Sequence, residues 1–349
     1  MSSLKHRLFA AGFAATSALR ADRWLRPIAQ GCGAILMFHH VRPWRERAFA
    51  PNRLLEITPE FLDRALAIAV ELGFDLVPLD EVPLRLRRPG RPFAAITFDD
   101  GYRDTAEHAL PVLRRHRAPF TVFVTTRFAD GAGGLWWLEL EEAIARLDRV
   151  AVSVGGACFE AACATPDEKA AAFERLYWLL REGPEERLRA TVALLTDAAG
   201  VDPAALATRL CLDWDELRAL AAEPGATIGA HTLSHPMLAK WPADIAGREI
   251  AESKALIEAK LGVSVRHFAY PVGDPTSAGP REFALCARAG FATAVTTRPG
   301  HLFPVHGVHL HALPRISVNG LFQREDALRA MLSGVPFLAW NRGRRLNVA

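Results

Sequence analysis

Four short stretches of this chain carry residue types that do chemistry, and each one follows an apolar run. The first is Thr97-Phe98-Asp99-Asp100-Gly101. Two adjacent carboxylates are costly to bury together unless a cation or a proton separates their roles, and the glycine after them lets the backbone turn sharply. The second is His231-Thr232-Leu233-Ser234-His235. Histidines four apart meet on one side of a helical turn, a spacing that suits two imidazole ligands on one metal ion. An open catalytic metal site needs one more protein ligand, and Asp100 offers the oxygen. The third stretch runs from Arg266 through Tyr270 and Val272 to Gly273, with an arginine able to hold a nearby carboxylate ionised. The fourth is Phe38-His39-His40-Val41. Taken singly, each also has a plain structural reading. Asp99 and Asp100 read as a helix cap or surface turn, His39 as a satisfied core imidazole, and Arg266 as a surface guanidinium.

The elements that must position these residues read as alternating strands and helices. Short apolar runs at 33–38, 74–79, 93–98, 120–124, 227–230, 266–269 and 291–296 predict seven strands. Helices with legible starts lie between them, one opened by Thr58-Pro59 and stopped at Gly73, another from about Pro242 to Gly262. This rhythm predicts an α/β fold with a mainly parallel sheet. It breaks between Gly131 and Leu210, where one short strand at 150–154 precedes three helices opened by Thr165-Pro166, Gly183-Pro184 and Asp202-Pro203. That stretch reads as a helical insertion. Its aromatics Trp136, Trp137, Tyr177 and Trp178 are expected to pack a small core rather than form a sugar-stacking platform. In closed α/β barrels the carboxyl ends of the strands share one rim, where catalytic groups sit. His39, Asp99, Asp100, His231 and Tyr270 fall at such ends on four separate strands, so the weak single signals become a joint one.

In order and content these motifs resemble the NodB-homology polysaccharide deacetylases, carbohydrate esterase family four. Residues 97–101 resemble that family's first motif, 231–235 its second and 266–273 its third, and the resemblance runs from about Gly33 to Ile316 apart from the insertion. It implies a distorted, seven-stranded, TIM-like (β/α) barrel that hydrolyses N-acetyl groups of acetylated aminosugars. It implies that Asp100, His231 and His235 bind a divalent metal, zinc foremost, with cobalt or another divalent ion as alternatives. It further implies Asp99 as general base held by Arg266, with the Tyr270 backbone N–H on the oxyanion. An amide nitrogen leaves only when protonated, so a second group must act as acid. His39, on the first strand as in some relatives, is the expected acid; His309 and His311 are the alternatives. Val272 stands where many relatives carry an aromatic residue. The expected substrate is an N-acetylglucosamine-containing oligo- or polysaccharide of the chitooligosaccharide or exopolysaccharide kind, or a lipid-linked precursor. A related amino-sugar deformylase or amidase, and a non-catalytic carbohydrate-binding barrel, are the competing readings.

Composition bounds the rest. The 349 residues carry 42 Lys and Arg against 39 Asp and Glu, a net charge of +3 that gives no reason to expect nucleic acid as partner. The five cysteines are odd in number and form no C-x-x-C pair, which fits a reduced compartment better than a disulfide framework. Residues 1–30 read as an amphipathic N-terminal segment, 31–325 as the barrel with its insertion at 131–210, and 326–349 as a C-terminal tail. The apolar stretch from Leu8 to Leu19 is too short to span a bilayer. With Leu4 and Phe9, and the arginines after it, it suggests a cytoplasmic protein touching a membrane surface; the alternative is export through a weak signal peptide.

Overall fold

The computed structural model describes residues 11–348 apart from Ala15, Ser17 and Pro89, so Leu4, Leu8 and Phe9 of the expected N-terminal amphipathic stretch lie outside the described residues. Seven strands form the barrel: β1 (Gly33–Phe38), β2 (Phe93–Phe98), β3 (Phe120–Val124), β4 (Ala226–Ala230), β5 (His267–Ala269), β6 (Thr293–Pro299) and β7 (Leu313–Ser317). All neighbours are parallel, and the ring closes where β1 lies between β2 and β7, with Gly33 opposite Phe93 and Leu36 opposite Ile316. The strands read as unbroken apolar runs because both faces are covered. Ile35, Ala95, Phe123, Ala269, Val295 and Leu313 fill the interior, while Leu36, Ile96, Val122, Ile228, Phe268 and Ile316 meet the surrounding helices. The expected barrel is therefore present.

Two strands differ from expectation. The predicted strand at 74–79 shrinks to Asp75–Leu76, which pairs outside the ring with the first residues of β2 and is stopped by Pro78. The seventh strand is instead β7, which follows a turn at residues 309–312.

The connection from β3 to β4 is the unusual one, because these strands pair directly yet residues 125–225 intervene. It holds a helix at Trp136–Arg146, an antiparallel hairpin (Arg149–Val154 with Ala157–Ala162), and helices at Pro166–Glu182, Glu185–Ala199 and Pro203–Leu210. The Thr165 capping box and the Asp202 cap form as their residue types dictate. The helix at Trp136–Arg146 and the second hairpin strand were not foreseen. Trp136 and Trp137 are buried in a core of the insertion's own with Leu140, Phe173, Leu176 and Leu188, whereas Trp178 is about half exposed.

Candidate active site

Side chains alternate along a strand, so Ile35 facing the barrel interior sends His39 inward, Ala95 does the same for Asp99, and Leu313 for Arg315. These three meet. Arg315, almost wholly buried, grips Asp99 with both terminal nitrogens, Nη1 to Oδ1 and Nη2 to Oδ2 at 2.7 Å each. Its Nε donates to the Thr296 carbonyl at 2.9 Å, which locks the fork in place. His39 Nε2 lies 4.0 Å from Asp99 Oδ2, with about a fifth of the imidazole open to solvent. Burial works against the Asp99 charge, but the Arg315 charge and hydrogen bonds, aided by His231 and His39, hold the carboxyl below the usual range. Burial pushes the His39 imidazole below its ordinary value, and Asp99 and Asp100 only partly restore it.

After β2 the chain turns at Asp100, whose backbone is left-handed (φ 69°), and this carries the second carboxylate away from the first. Asp100 Oδ1 lies 3.4 Å from His231 Nε2 and 3.3 Å from His235 Nε2, yet it is buried with no hydrogen-bond partner. Both ring nitrogens and the carboxylate oxygen lie within 4.8 Å of one another, the only such cluster of three or more among the described residues. His231 Nδ1 donates to the Ala269 carbonyl at 2.7 Å, so its proton sits there and Nε2 presents a lone pair. An orphaned buried carboxylate oxygen facing two imidazole nitrogens fits a divalent cation of the borderline class to which zinc belongs.

Residues 231–235 do not make the expected helical turn. They form an open loop in which Thr232 (φ 70°) and His235 (φ 57°) are left-handed. Its shape is imposed from outside. Glu249, on the helix Ala243–Leu261, accepts from the Leu233 and Ser234 amides at 2.9 Å each and from the Ser234 hydroxyl at 2.7 Å. Arg189, from the insertion, donates to the Ser234 and His235 carbonyls at 3.0 and 3.1 Å. The His235 ring packs against Phe128 and Trp137, with centroids 5.8 and 4.6 Å away. Of seven described non-glycine residues with left-handed backbone, four (Asp100, Thr232, His235 and Val272) lie in these loops. Such strain persists where surrounding contacts over-determine the geometry.

Two expected site residues are placed elsewhere. Arg266 precedes β5 and so sits at the opposite end of the barrel from the rim; it pairs with Asp80 at 3.1 Å and is mostly exposed. Arg315 takes the position on Asp99 that was expected of it. The Tyr270 side chain packs outward against Phe268 and Phe283, and its hydroxyl donates to the His311 carbonyl. Its N–H donates to the Val295 carbonyl at 3.2 Å, so that amide is committed to the sheet. Two residues on, the Val272 N–H has no acceptor among the described residues, and the turn is tight enough that a side chain on Gly273 would strike Thr297 and the Tyr270 carbonyl. Of the alternative acids, His311 donates to the Phe291 carbonyl and His309 lies in the turn before β7, both away from the rim. His40 points outward, donates to Asp104 at 2.6 Å and stacks on Tyr102.

Comparison with known proteins gives the family. The family model for polysaccharide deacetylase matches residues 87–155 and 166–284, more than half of the chain. No curated protein sequence matches it. Among solved structures, the deacetylase PplD of Streptococcus pyogenes in complex with acetate is similar at a TM-score of 0.55 and 20% identity, over 85% of this chain and 97% of that one. IcaB from Ammonifex degensii gives 0.54 and 18%, over 88% and 98%. A de-N-acetylase from Aggregatibacter actinomycetemcomitans gives 0.53 and 10%, over 86% and 99%. At these identities the likeness speaks for the fold. With over half of its length matching the family, on the barrel those structures share, the chain belongs to the NodB-type polysaccharide deacetylases.

Proposed function

We propose that the protein is a metal-dependent N-deacetylase acting on N-acetylglucosamine-containing oligo- or polysaccharides. The observation that carries this reading is the juxtaposition at one rim of an ionised carboxylate, Asp99 on Arg315, with the Asp100–His231–His235 cluster. A binding barrel has no use for both. A divalent ion held by Asp100, His231 and His235 supplies Lewis acidity toward an amide carbonyl and lowers the pKa of a bound water.

The chain's own residues account for the protons. Asp99 is kept charged by Arg315 and so is free to take a proton from the attacking water. The fork of Arg315 disfavours the protonated carboxyl, which makes Asp99 a poor place to keep that proton. His39 is neutral at rest because of burial; at 4.0 Å from Asp99 it receives the proton on Nε2 and delivers it to the departing amine. The acetamide C–N bond breaks, and acetate and a free amine are released. The Val272 N–H, rather than that of Tyr270, is the amide available to a developing oxyanion.

The test is acetate release from N-acetylglucosamine oligomers before chelation, after it, and after adding back zinc or cobalt. Release that vanishes with chelator and returns with metal is expected. Stoichiometric metal with no acetate release, but with formate or another acyl product, moves the reading to a related amidase. A protein that binds no metal at all leaves the non-catalytic barrel.

A further inference from the structure

Charge in this chain is segregated in a way the total conceals. Residues 1–28 and 339–349 hold Lys5, Arg7, Arg20, Arg23, Arg26, Arg342, Arg344 and Arg345 against the single acid Asp22, a net of +7; the whole chain is +3, so residues 29–338 carry −4. The fold brings the described residues of the two ends, 18–28 and 335–348, together. The helices Ala21–Trp24 and Arg26–Ala29 lead into β1, and the helix Val335–Trp340 packs on the second of them. Arg345 reaches across to donate to the Ile28 carbonyl, and Gly334 fits so closely that a side chain there would strike the Ala29 carbonyl.

On this joined surface the apolar side chains face outward. Leu19, Trp24 and Ile28 are 70%, 63% and 59% exposed, and Trp340 is 51% exposed, among the exposed guanidiniums of Arg20, Arg23, Arg342, Arg344 and Arg345. Elsewhere on the molecule most arginines pair with carboxylates, as Arg64 does with Glu325 and Arg114 with Glu223. Here tryptophan and aliphatic groups interleave with cations, the composition of a segment that lies at the headgroup level of an anionic bilayer. Among the described residues no single helix is long and apolar enough to cross a membrane.

We infer that the surface formed by residues 18–28 and 335–348 docks the protein on anionic lipid headgroups. The first two helices lead into the amino end of β1, and Val335–Trp340 follows the helix Glu325–Ser333, which returns from the carboxyl end of β7, so the surface lies at the amino ends of the strands. The rim with Asp99 and Asp100 then faces away from the bilayer, toward glycan extending from it.

The test uses the full-length protein and flotation with vesicles of phosphatidylcholine alone or with a third phosphatidylglycerol. Binding is expected only to the anionic vesicles. Replacing Arg342, Arg344 and Arg345 together by Gln should weaken it at least tenfold, since each cation near such a surface adds about 1 kcal/mol. The combined change Trp24→Ala and Ile28→Ser should weaken it several-fold at unchanged charge. These residues touch nothing in the candidate site, so metal content should stay as in the parent protein and a cooperative thermal transition should be retained, which separates lost docking from lost folding. No flotation with anionic vesicles overturns the inference. So does anionic binding that is as strong in both variants, or a surface that binds a soluble polyanion such as heparin but no vesicle.

Discussion

The barrel and the insertion divide the labour of this molecule unequally. The candidate site is built from barrel strands and the loops at their carboxyl ends, where Asp99, Asp100, His231, His235 and His39 converge. The insertion contributes none of these five residues, and residues 125–225 contain no histidine at all. Yet it packs Trp137 on the His235 ring and aims Arg189 at the loop carbonyls. One region bears the candidate catalytic and metal-binding residues, and the other buttresses the loop that carries His235. A segment inserted into a barrel can thus be coupled to its site without sharing its residues.

The comparison breaks most sharply at Asp99. Asp99→Asn keeps the volume and removes the base, so turnover should fall about 10²- to 10⁴-fold while metal content stays unchanged. An unchanged kcat would remove Asp99 from the chemistry and leave the barrel rim no more than a metal site. In the parent protein, protonation of His39 should give kcat/KM an acid limb below pH 6.5, its unperturbed value, because burial lowers its pKa and the neutral imidazole is the working form. His39→Gln should abolish that limb along with most of the activity.

Arg315→Met comes next in size and reads out as stability. The substitution strands the Asp99 carboxylate in a buried site, which costs about 3–5 kcal/mol when one partner of a buried pair is lost. Denaturant unfolding should show it. Adding Asp99→Leu should restore most of the loss, since an apolar pair of similar volume has no charge to solvate. If the double variant is no more stable than the single, the penalty comes from packing around Arg315 and the ion pair is incidental.

That arginine also marks where the sequence was hard to read. The Asp100–His231–His235 cluster and Asp99 were legible because strand ends and a glycine turn point to one rim, even though residues 231–235 reach it as an open loop rather than a helical turn. Arg266 was a reasonable partner for Asp99 only while a residue before a strand and one after it are not distinguished. In a parallel barrel they lie at opposite ends. The signal for Arg315 was present in Leu313-Pro314-Arg315-Ile316-Ser317, where a charge falls on the inward row of a short apolar run and must find a buried partner. No strand is predicted there, because the proline interrupts an already short apolar run. The insertion's later helices were legible from their X-Pro starts at Thr165, Gly183 and Asp202, whereas its first helix, opening on Leu135 without a proline or a side-chain cap, was not. Its contacts with the site could not be read, because they join residues far apart in sequence through shape alone.

Acid should separate the two regions as well. Burial lowers His301 and His306, both in the barrel's last third, to about 4. Each stays neutral in the folded protein and charges freely once unfolded, with an unfolded value near 6.5. Stability from each is therefore complete above pH 6.5 and is lost as pH falls toward 4, on the order of 3 kcal/mol apiece. Hydrogen exchange at pH 5 should find barrel amides near Met331, whose carbonyl accepts from His301, opening before those of the insertion. Exchange that accelerates equally in both regions would show one cooperative unit. His301→Gln should flatten the loss.

The smallest effect is the one that sharpens the comparison most. Arg189 holds Glu185 through its side chain and the Ser234 and His235 carbonyls through the same guanidinium nitrogen, so it ties an insertion helix to the loop that bears a candidate metal ligand. Arg189→Lys keeps the charge beside Glu185, but its ammonium sits about one bond short of the Nη2 position and loses the simultaneous reach to two carbonyls. Glu249 still pins the Leu233 and Ser234 amides, so the loop should remain folded and only the freedom of the His235 ring should grow. Supporting contacts of this kind are worth about 10- to 100-fold in metal affinity. Competition with a chelating indicator should show a loss in that range, with thermal unfolding of the metal-free protein close to that of the parent. Trp137→Phe, which keeps an apolar ring near His235, should fall between the two. Affinity that stays within a factor of two in both variants would mean the barrel alone fixes its ligands, and the insertion would be a passenger on the rim rather than part of the site.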